Sequence, residues 1–463
     1  MHNHIMMESN VTRRQSIKLG LGSLGLGLGG YLAARARGIE SRTRSSGFGR
    51  AKSCIVFFCW GGMSQLETFD PKPDAPGEVR GSYKPIPTAT PGVFFGEFVP
   101  AFAKQSQRLA VVRSVHHQAA GHRNAAYWSL TGRRPAVEIA NDEPIAPSRN
   151  DHPCLGSTIA RFRSAPQGFP RFVASPHPLA DRGILNGQFA GFLGARYEPF
   201  IVAPKASRKY AGVSPNAGIA DLALPVDVDP ARMRRRFELL GRTEDEAWKR
   251  ESGSLDAFRA SAADLLLNPA VANAFDVDSE PAKSRDRYGD HICGRSTLLA
   301  RRLTEAGVPI VVIYPGSGDL NGSAGDVWDT HGDNFRRLKD NLLPPLELAS
   351  SALLDDLADR RLLDQTLVVW LTEFGRTPKI NSAQGRDHFP FCYSVAFAGG
   401  GTRGGIVWGR SDKIAAAPAE SPVDPADVHA TIFHALGIPA DSIVHDSLGR
   451  PLAASDGEVL PIF

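Results

Sequence analysis

Cysteine is scarce and scattered. The five residues Cys54, Cys59, Cys154, Cys293 and Cys392 are odd in number and widely spaced, which excludes a disulfide framework, and no C-x-x-C pair offers a structural zinc site. Cys54 and Cys59 sit in an apolar run and read as small buried hydrophobes. Long hydrophobic runs are also missing. The uncharged stretch Leu19–Ala34 is broken by glycines and is shorter than the ~20 apolar residues of a membrane-spanning helix. Net charge is low at +4, and Arg13, Arg14, Lys18 and Arg35 against Glu8 account for most of it within the first 36 residues. The remainder is close to neutral, which gives no reason to expect nucleic acid or an anionic membrane surface as a partner. No internal repeat is evident.

What the N-terminus does have is an export signal. Thr12-Arg13-Arg14-Gln15-Ser16-Ile17-Lys18 is a paired-arginine sequence, followed by the weakly apolar Leu19–Ala34 and the small-x-small triplet Ala34-Arg35-Ala36. This order of basic, apolar and cleavage regions predicts a twin-arginine signal peptide over residues 1–36, read by the twin-arginine translocation machinery, with the periplasm or cell surface as destination. Residues 37–50, basic and rich in Ser and Gly, predict a flexible leader. The rest is long enough for a large core.

Apolar runs alternate with helical patterns through that remainder. Strands are expected at Cys54–Trp60, Arg108–Val115, Pro170–Ala174, Val308–Tyr314, Thr366–Thr372 and Ser394–Ala398. Helices are expected at Asn124–Leu130, Met233–Leu240, Glu244–Leu266, Cys293–Glu305 and Asp424–Leu436, with a long one over Phe335–Leu363 kinked at Pro344-Pro345. The alternation predicts a largely parallel sheet with helices on both faces, in one domain over 51–463 that carries a helical insertion at about 228–305.

Ligands of open α/β sheets bind beyond the carboxyl ends of the strands, so polar residues after apolar runs are the candidates. Gly61-Gly62 lets backbone approach a ligand, and Ser64, Gln65, Glu67 and Asp70 follow; a plain turn explains them equally. Asp329 and His331, two apart in an acidic loop, suit a hard or borderline metal, while a helix cap explains Asp333. Glu373 stands directly after TLVVWLT, with Arg376 available as an ion-pair partner. Asp387-His388 lies in a Gly/Pro-framed loop, and His116, His117 and His122 crowd the end of another strand. Histidines and carboxylates at successive strand ends suit a metal-hydrolase centre.

The segments GGMSQLETFDPKP, GHRNAAYWSLTGR, GQFAGFLG, LLARRLTEAGVPIVVIY, WDTHGDNF, TLVVWLTEFGRTPKINSAQGRDHFP and GGGTRGGIVWGRSD, spanning about residues 51–437, resemble the domain-of-unknown-function 1501 family, exported bacterial proteins abundant in planctomycetes. That family is similar to the alkaline phosphatase and sulfatase superfamily. Thr131-Gly132-Arg133 resembles the close of the sulfatase nucleophile motif, Thr372-Glu373-Phe374-Gly375 its later S-D-H-G, Asp329 and His331 its Asp…His pair, and His388 its late metal histidine. The resemblance implies an alkaline-phosphatase-like three-layer α/β sandwich with a mostly parallel central sheet. It implies a divalent metal ion, zinc or calcium, with Asp329, His331, Glu373, Asp387 and His388 as ligands. His122 would be an acid/base or a ligand. Arg123 is expected beside it, and Arg123, Arg376, Arg386 and Ser64 are expected to meet an anionic ester or glycan substrate. The chain departs from the pattern in three places. His122 occupies the nucleophile position, Gly61 the position of the strand-one Asp, and Phe374 that of a metal His or Asn. The expected function is therefore an exported metal-dependent hydrolase of phosphate, sulfate or related esters with no evident side-chain nucleophile. The alternative is a non-catalytic binding or cell-surface protein on an inherited hydrolase fold.

Overall fold

The protein is described from a computed structural model, which covers residues 46–136, 143–203, 228–243, 263, 265–316 and 327–463. The expected signal peptide, most of the expected leader, nearly all of the helix expected at Glu244–Leu266 and Asp326 lie outside the described residues.

Eight strands form the central sheet: β1 (Ser53–Phe58), β2 (Leu109–Val115), β3 (Phe172–Ser175), β4 (Phe200–Ile201), β5 (Ile310–Ile313), β6 (Thr366–Leu371), β7 (Tyr393–Gly399) and β8 (Ile406–Trp408). Their order across the sheet is β8-β2-β7-β6-β1-β5-β3-β4. All neighbouring pairs are parallel except those made by β7, which runs antiparallel to β2 and β6. β1 lies at the centre, and its register against β5 and β6 places Phe57 beside Ile313 and Phe58 beside Leu371. The carboxyl ends of β1, β5 and β6 therefore share one edge of the sheet.

The three layers follow from the pleat of β1. Cys54, Val56 and Phe58 face one core together with helices α1 (His122–Thr131), α2 (Leu155–Phe162) and α5 (Pro425–Ala435), through residues such as Leu130, Ile159 and Ile432. Ile55 and Phe57 face the other, against α3 (Ile292–Glu305) and α4 (Leu343–Asp359), through Leu298, Leu303, Leu353 and Leu357. A strand covered on both faces reads as a continuous apolar run rather than an alternation, which is why CIVFFCW is legible. Helix α5 begins where Asp424 and Asp427 form a reciprocal capping box, with Pro425 in the first turn.

The expected kink at Pro344-Pro345 takes another form. A short helix Asn334–Arg337 passes through a wide π-type stretch, Leu338–Leu342, into α4, so the two prolines fall in the first turn of a helix, where a missing N–H is tolerated. In the region expected as a helical insertion, α3 packs directly on the sheet as part of its cover. No helix among the described residues is long and apolar enough to cross a membrane.

Candidate metal centre

The chain's chemistry gathers at the carboxyl edge. After β1, Gly61 has φ +113°, and a Cβ there would stand 2.4 Å from the backbone nitrogen of Asp329. The Asp329 loop thus rests on a glycine that no side chain can replace, and Trp328 N–H donates to the Trp60 carbonyl at 3.1 Å. We expect Gly61→Ala to cost more than ~1 kcal/mol, since alanine meets both a positive φ and a backbone clash. Urea unfolding measures the loss, and an unchanged midpoint would count against this packing.

After β6, Gly375–Arg376 pairs antiparallel with His388–Phe389 just before β7 begins. The segment between them is sewn to the Asp329 loop. Asn381 Nδ2 donates to the His331 carbonyl at 2.9 Å, and Arg386 N–H to that of Thr330 at 3.0 Å. Gly385 lies so close beneath His331 that a Cβ would fall 1.8 Å from its carbonyl oxygen. From the third side, α1 opens on His122.

These loops bring donor atoms together. Asp329 Oδ1 lies 3.1 Å from Nε2 of both His331 and His388, and those two nitrogens are 2.9 Å apart. The second ring nitrogens are committed elsewhere. His331 Nδ1 meets Asp387 Oδ1 at 2.7 Å, and His388 Nδ1 meets the Ala120 carbonyl at 2.8 Å. A carboxylate and a carbonyl only accept, so both Nδ1 atoms carry a proton and both Nε2 atoms turn inward. Two ring nitrogens and a carboxylate oxygen then confront one another, an arrangement that a shared cation or proton would satisfy. His122 joins from behind, with Nε2 3.3 Å from Asp329 Oδ2 and Nδ1 3.0 Å from Glu373 Oε1. Phe374 packs against the rings of His388 and His122 at 4.4 and 5.2 Å, and Trp60 against His122 at 4.9 Å.

Burial works against the Asp329 carboxylate, yet His122, His388 and Arg376 together hold it far below the usual carboxylate range. Burial also opposes charge on His122, but Asp329 and Glu373 prevail and lift it to about 9 in the absence of any ion. For His388 burial wins, aided by the charges of His122 and Arg376, and the ring is pushed towards the neutral form that a metal ligand needs.

Several expected residues stand elsewhere. Glu373, expected as a ligand, is fully buried; its Oε1 accepts from Gly61 N–H at 2.7 Å and faces His122. Asp387, also expected as a ligand, backs His331 instead. Arg386 and Ser64, expected at the substrate, are both 0 % exposed. Ser64 Oγ donates to Glu67 Oε2, and Arg386 donates to Glu67 Oε1 and to backbone carbonyls. Arg376, likewise buried, spends its guanidinium on Asp329 Oδ1 and the carbonyls of Gly61, Gly62 and Arg386. Arg123 turns to the Gly183 carbonyl at 3.2 Å and Asp181 at 3.7 Å. His117 is structural. It accepts from Ala119 N–H at 3.0 Å and donates to the Glu373 carbonyl at 2.6 Å, and burial lowers its pKa to about 4. Sequence reading missed the packing of Trp60 and Phe374 on the histidines; neither residue type signals a site by itself.

Residues 51–462 match the model of a family described as Protein of unknown function (DUF1501). No curated protein matches the chain. Among solved structures it is similar to a phosphonate monoester hydrolase from Silicibacter pomeroyi, with 12% identity over 89% of this chain and 76% of that one and a TM-score of 0.39. It is also similar to a sulfatase from Pseudoalteromonas, with 11% identity over 88% and 70% and a TM-score of 0.36.

Proposed function

The chain belongs to the DUF1501 family, and from the cluster at its sheet edge we propose that it is an exported, metal-dependent hydrolase of phosphate, sulfate or related esters. One observation carries the reading: Nε2 of His331, Nε2 of His388 and Oδ1 of Asp329 face one another while both Nδ1 atoms are tied to acceptors. Nitrogen and oxygen ligands held ~2.0–2.1 Å from zinc lie roughly 3 Å or a little more from one another, so the donor spacing fits an ion of that kind. Asp329, His331 and His388 would hold it. Bound there, a divalent cation supplies Lewis acidity, polarising an ester oxygen and easing loss of a proton from water.

The chain's own residues prepare the place. Asp387 and the Ala120 carbonyl hold two imidazoles in the tautomer that turns Nε2 inward. Arg376 fixes the Asp329 carboxylate from the buried side. Phe374 and Trp60 keep water from the inner faces of His388 and His122, while His331 is 46% exposed and leaves the centre open to solvent on its side. Ser64 is buried against Glu67 and all five cysteines are buried, so neither residue type offers an open nucleophile here. Water is left as the attacking group, and an anionic phosphate or sulfate ester, or a glycan carrying one, is the substrate class this reading implies. The test is hydrolysis of aryl phosphate, sulfate and phosphonate esters by zinc-loaded and metal-stripped protein. Stoichiometric metal without turnover on any ester would favour the binding-protein alternative.

The exported part of the reading rests on residues 12–36. Arg13→Lys combined with Arg14→Lys is expected to leave folded precursor in the cytoplasm, because the twin-arginine receptor reads both guanidinium groups. Cell fractionation checks this, and normal export of the double variant would assign the chain to the general secretory route.

A further inference from the structure

We propose that His122 is the fourth donor of this centre, that Glu373 is the residue that positions it, and that the three-nitrogen, one-oxygen set takes a borderline transition ion such as zinc in preference to calcium. The inference rests on the metal-centre reading above and deepens it.

His122 stands at the first position of α1. Its Nδ1 is 3.0 Å from Oε1 of Glu373, and its Nε2 is 3.3 Å from Oδ2 of Asp329. One donor atom from each of His122, Asp329 and His388 lies within 4.8 Å of the others. The carboxylate behind it is firmly held: Glu373 is 0 % exposed, the same Oε1 accepts from Gly61 N–H at 2.7 Å, and Thr372 Oγ1 lies 3.4 Å from Oε2. Trp60 and Phe374 brace the ring, at 4.9 and 5.2 Å between centroids. With Nδ1–H donated to Glu373, Nε2 is the atom on the Asp329 side, and it would take the ion in exchange for its proton.

The same construction occurs at every histidine of the cluster. His331 is anchored at Nδ1 by Asp387, His388 at Nδ1 by the Ala120 carbonyl, and His122 at Nδ1 by Glu373. Three acceptors from three chain segments each select the Nε2-inward form. A histidine that only braced a loop would have no need of that common orientation; a ligand does, because its outer partner sets the tautomer and raises donor strength. Glu373 and Asp387 are thereby outer carboxylates and not ligands. The donor set then decides the ion. Calcium takes about six to eight oxygens, whereas imidazole nitrogens with one carboxylate suit zinc and its neighbours.

The test compares full-chain wild type, His122→Ala and Glu373→Gln by competition titration with zinc and calcium, and by the visible spectrum of the cobalt form. Wild type is expected to bind zinc at least ~100-fold more tightly than calcium. His122→Ala should weaken zinc by more than the ~10–100-fold typical of an outer residue, and Glu373→Gln should weaken it within that range. The cobalt spectrum of His122→Ala should change, and added imidazole should restore part of it, which a merely structural loss would not allow. Glu373→Gln keeps the side-chain shape and so guards against a folding artefact in the alanine variant. Zinc bound by wild type and equally well by His122→Ala, with an unchanged cobalt spectrum, would overturn the inference and leave the metal centre standing. Unaltered affinity in Glu373→Gln would overturn its positioning role, and tighter calcium than zinc would overturn the ligand class. A wild type that binds neither ion would overturn both this inference and the metal-centre reading.

Discussion

Replacing His331 by alanine is expected to weaken zinc binding by at least ~100-fold while moving the stability of the metal-free protein by less than about 1 kcal/mol. The first half follows from its position: Nε2 lies 2.9 Å from His388 Nε2 and 3.1 Å from Asp329 Oδ1, so its removal takes one of the converging donors. Loss of an outer residue alone typically costs ~10–100-fold in metal affinity, and loss of a ligand should cost more. The second half follows from exposure. The side chain is 46% exposed, and its one strong anchor, Asp387, is itself 53% exposed. Surface changes of this kind typically fall within about 0.5 kcal/mol, and a partly exposed ion pair contributes about 0–1 kcal/mol. If His331 served only to brace its loop, the two results would invert, with stability falling and zinc affinity unchanged. Chelator competition and urea unfolding of the stripped protein separate the cases.

That prediction draws on both what the sequence discloses and what it conceals. The apolar runs TLVVWLT and VPIVVIY mark β6 and β5 because strands buried on both faces are apolar throughout. Placing polar residues after them then gathers Asp329, Glu373 and His388 at one edge. Short edge strands escape such reading: Phe200–Ile201 and Ile406–Trp408 are only partly buried and too brief to carry a pattern. Individual roles escape it too. Glu373 lies immediately after its strand, where a ligand is expected, yet its partner His122 is 251 residues distant in sequence. Only the folded loops decide that the carboxylate faces an imidazole and Gly61 N–H. Asp387 and His388 are adjacent, so spacing gives both the same standing; in the fold His388 lies on the mini-strand His388–Phe389, paired with Gly375–Arg376, and its Nε2 reaches Asp329, while Asp387 meets His331. The arginines are ambiguous in sequence for a related reason. A guanidinium in a polar loop suits an anion and a set of backbone carbonyls equally well, and burial alone distinguishes them.

Arg386 provides the sharpest test of that distinction. Arg386→Met is expected to destabilise the protein by ~3–5 kcal/mol, the typical cost of removing one partner of a buried ion pair. Both Arg386 and Glu67 are 0 % exposed. Nε and Nη2 of Arg386 reach Glu67 Oε1 at 3.1 and 2.7 Å, Nη1 donates to the Thr377 carbonyl at 3.0 Å and also to that of Pro378, and Nη2 also reaches the Val79 carbonyl at 2.7 Å. Methionine leaves the Glu67 carboxylate buried, with Ser64 Oγ and the Asn334 amide as its remaining partners. The damage should spread to the centre, because the Arg386 side chain anchors the segment whose main-chain N–H, at the same residue, ties it to the Thr330 carbonyl beside Asp329. Zinc affinity should therefore fall together with stability. Combining Glu67→Met with Arg386→Met removes both charges at once and should cost less than Arg386→Met alone, since well-packed apolar replacements of a buried pair are often close to neutral. A substrate-binding Arg386 predicts the opposite pattern: a raised KM, intact stability, and no relief from the second substitution. Urea midpoints of the two single variants and the double variant, measured with metal removed, decide between them.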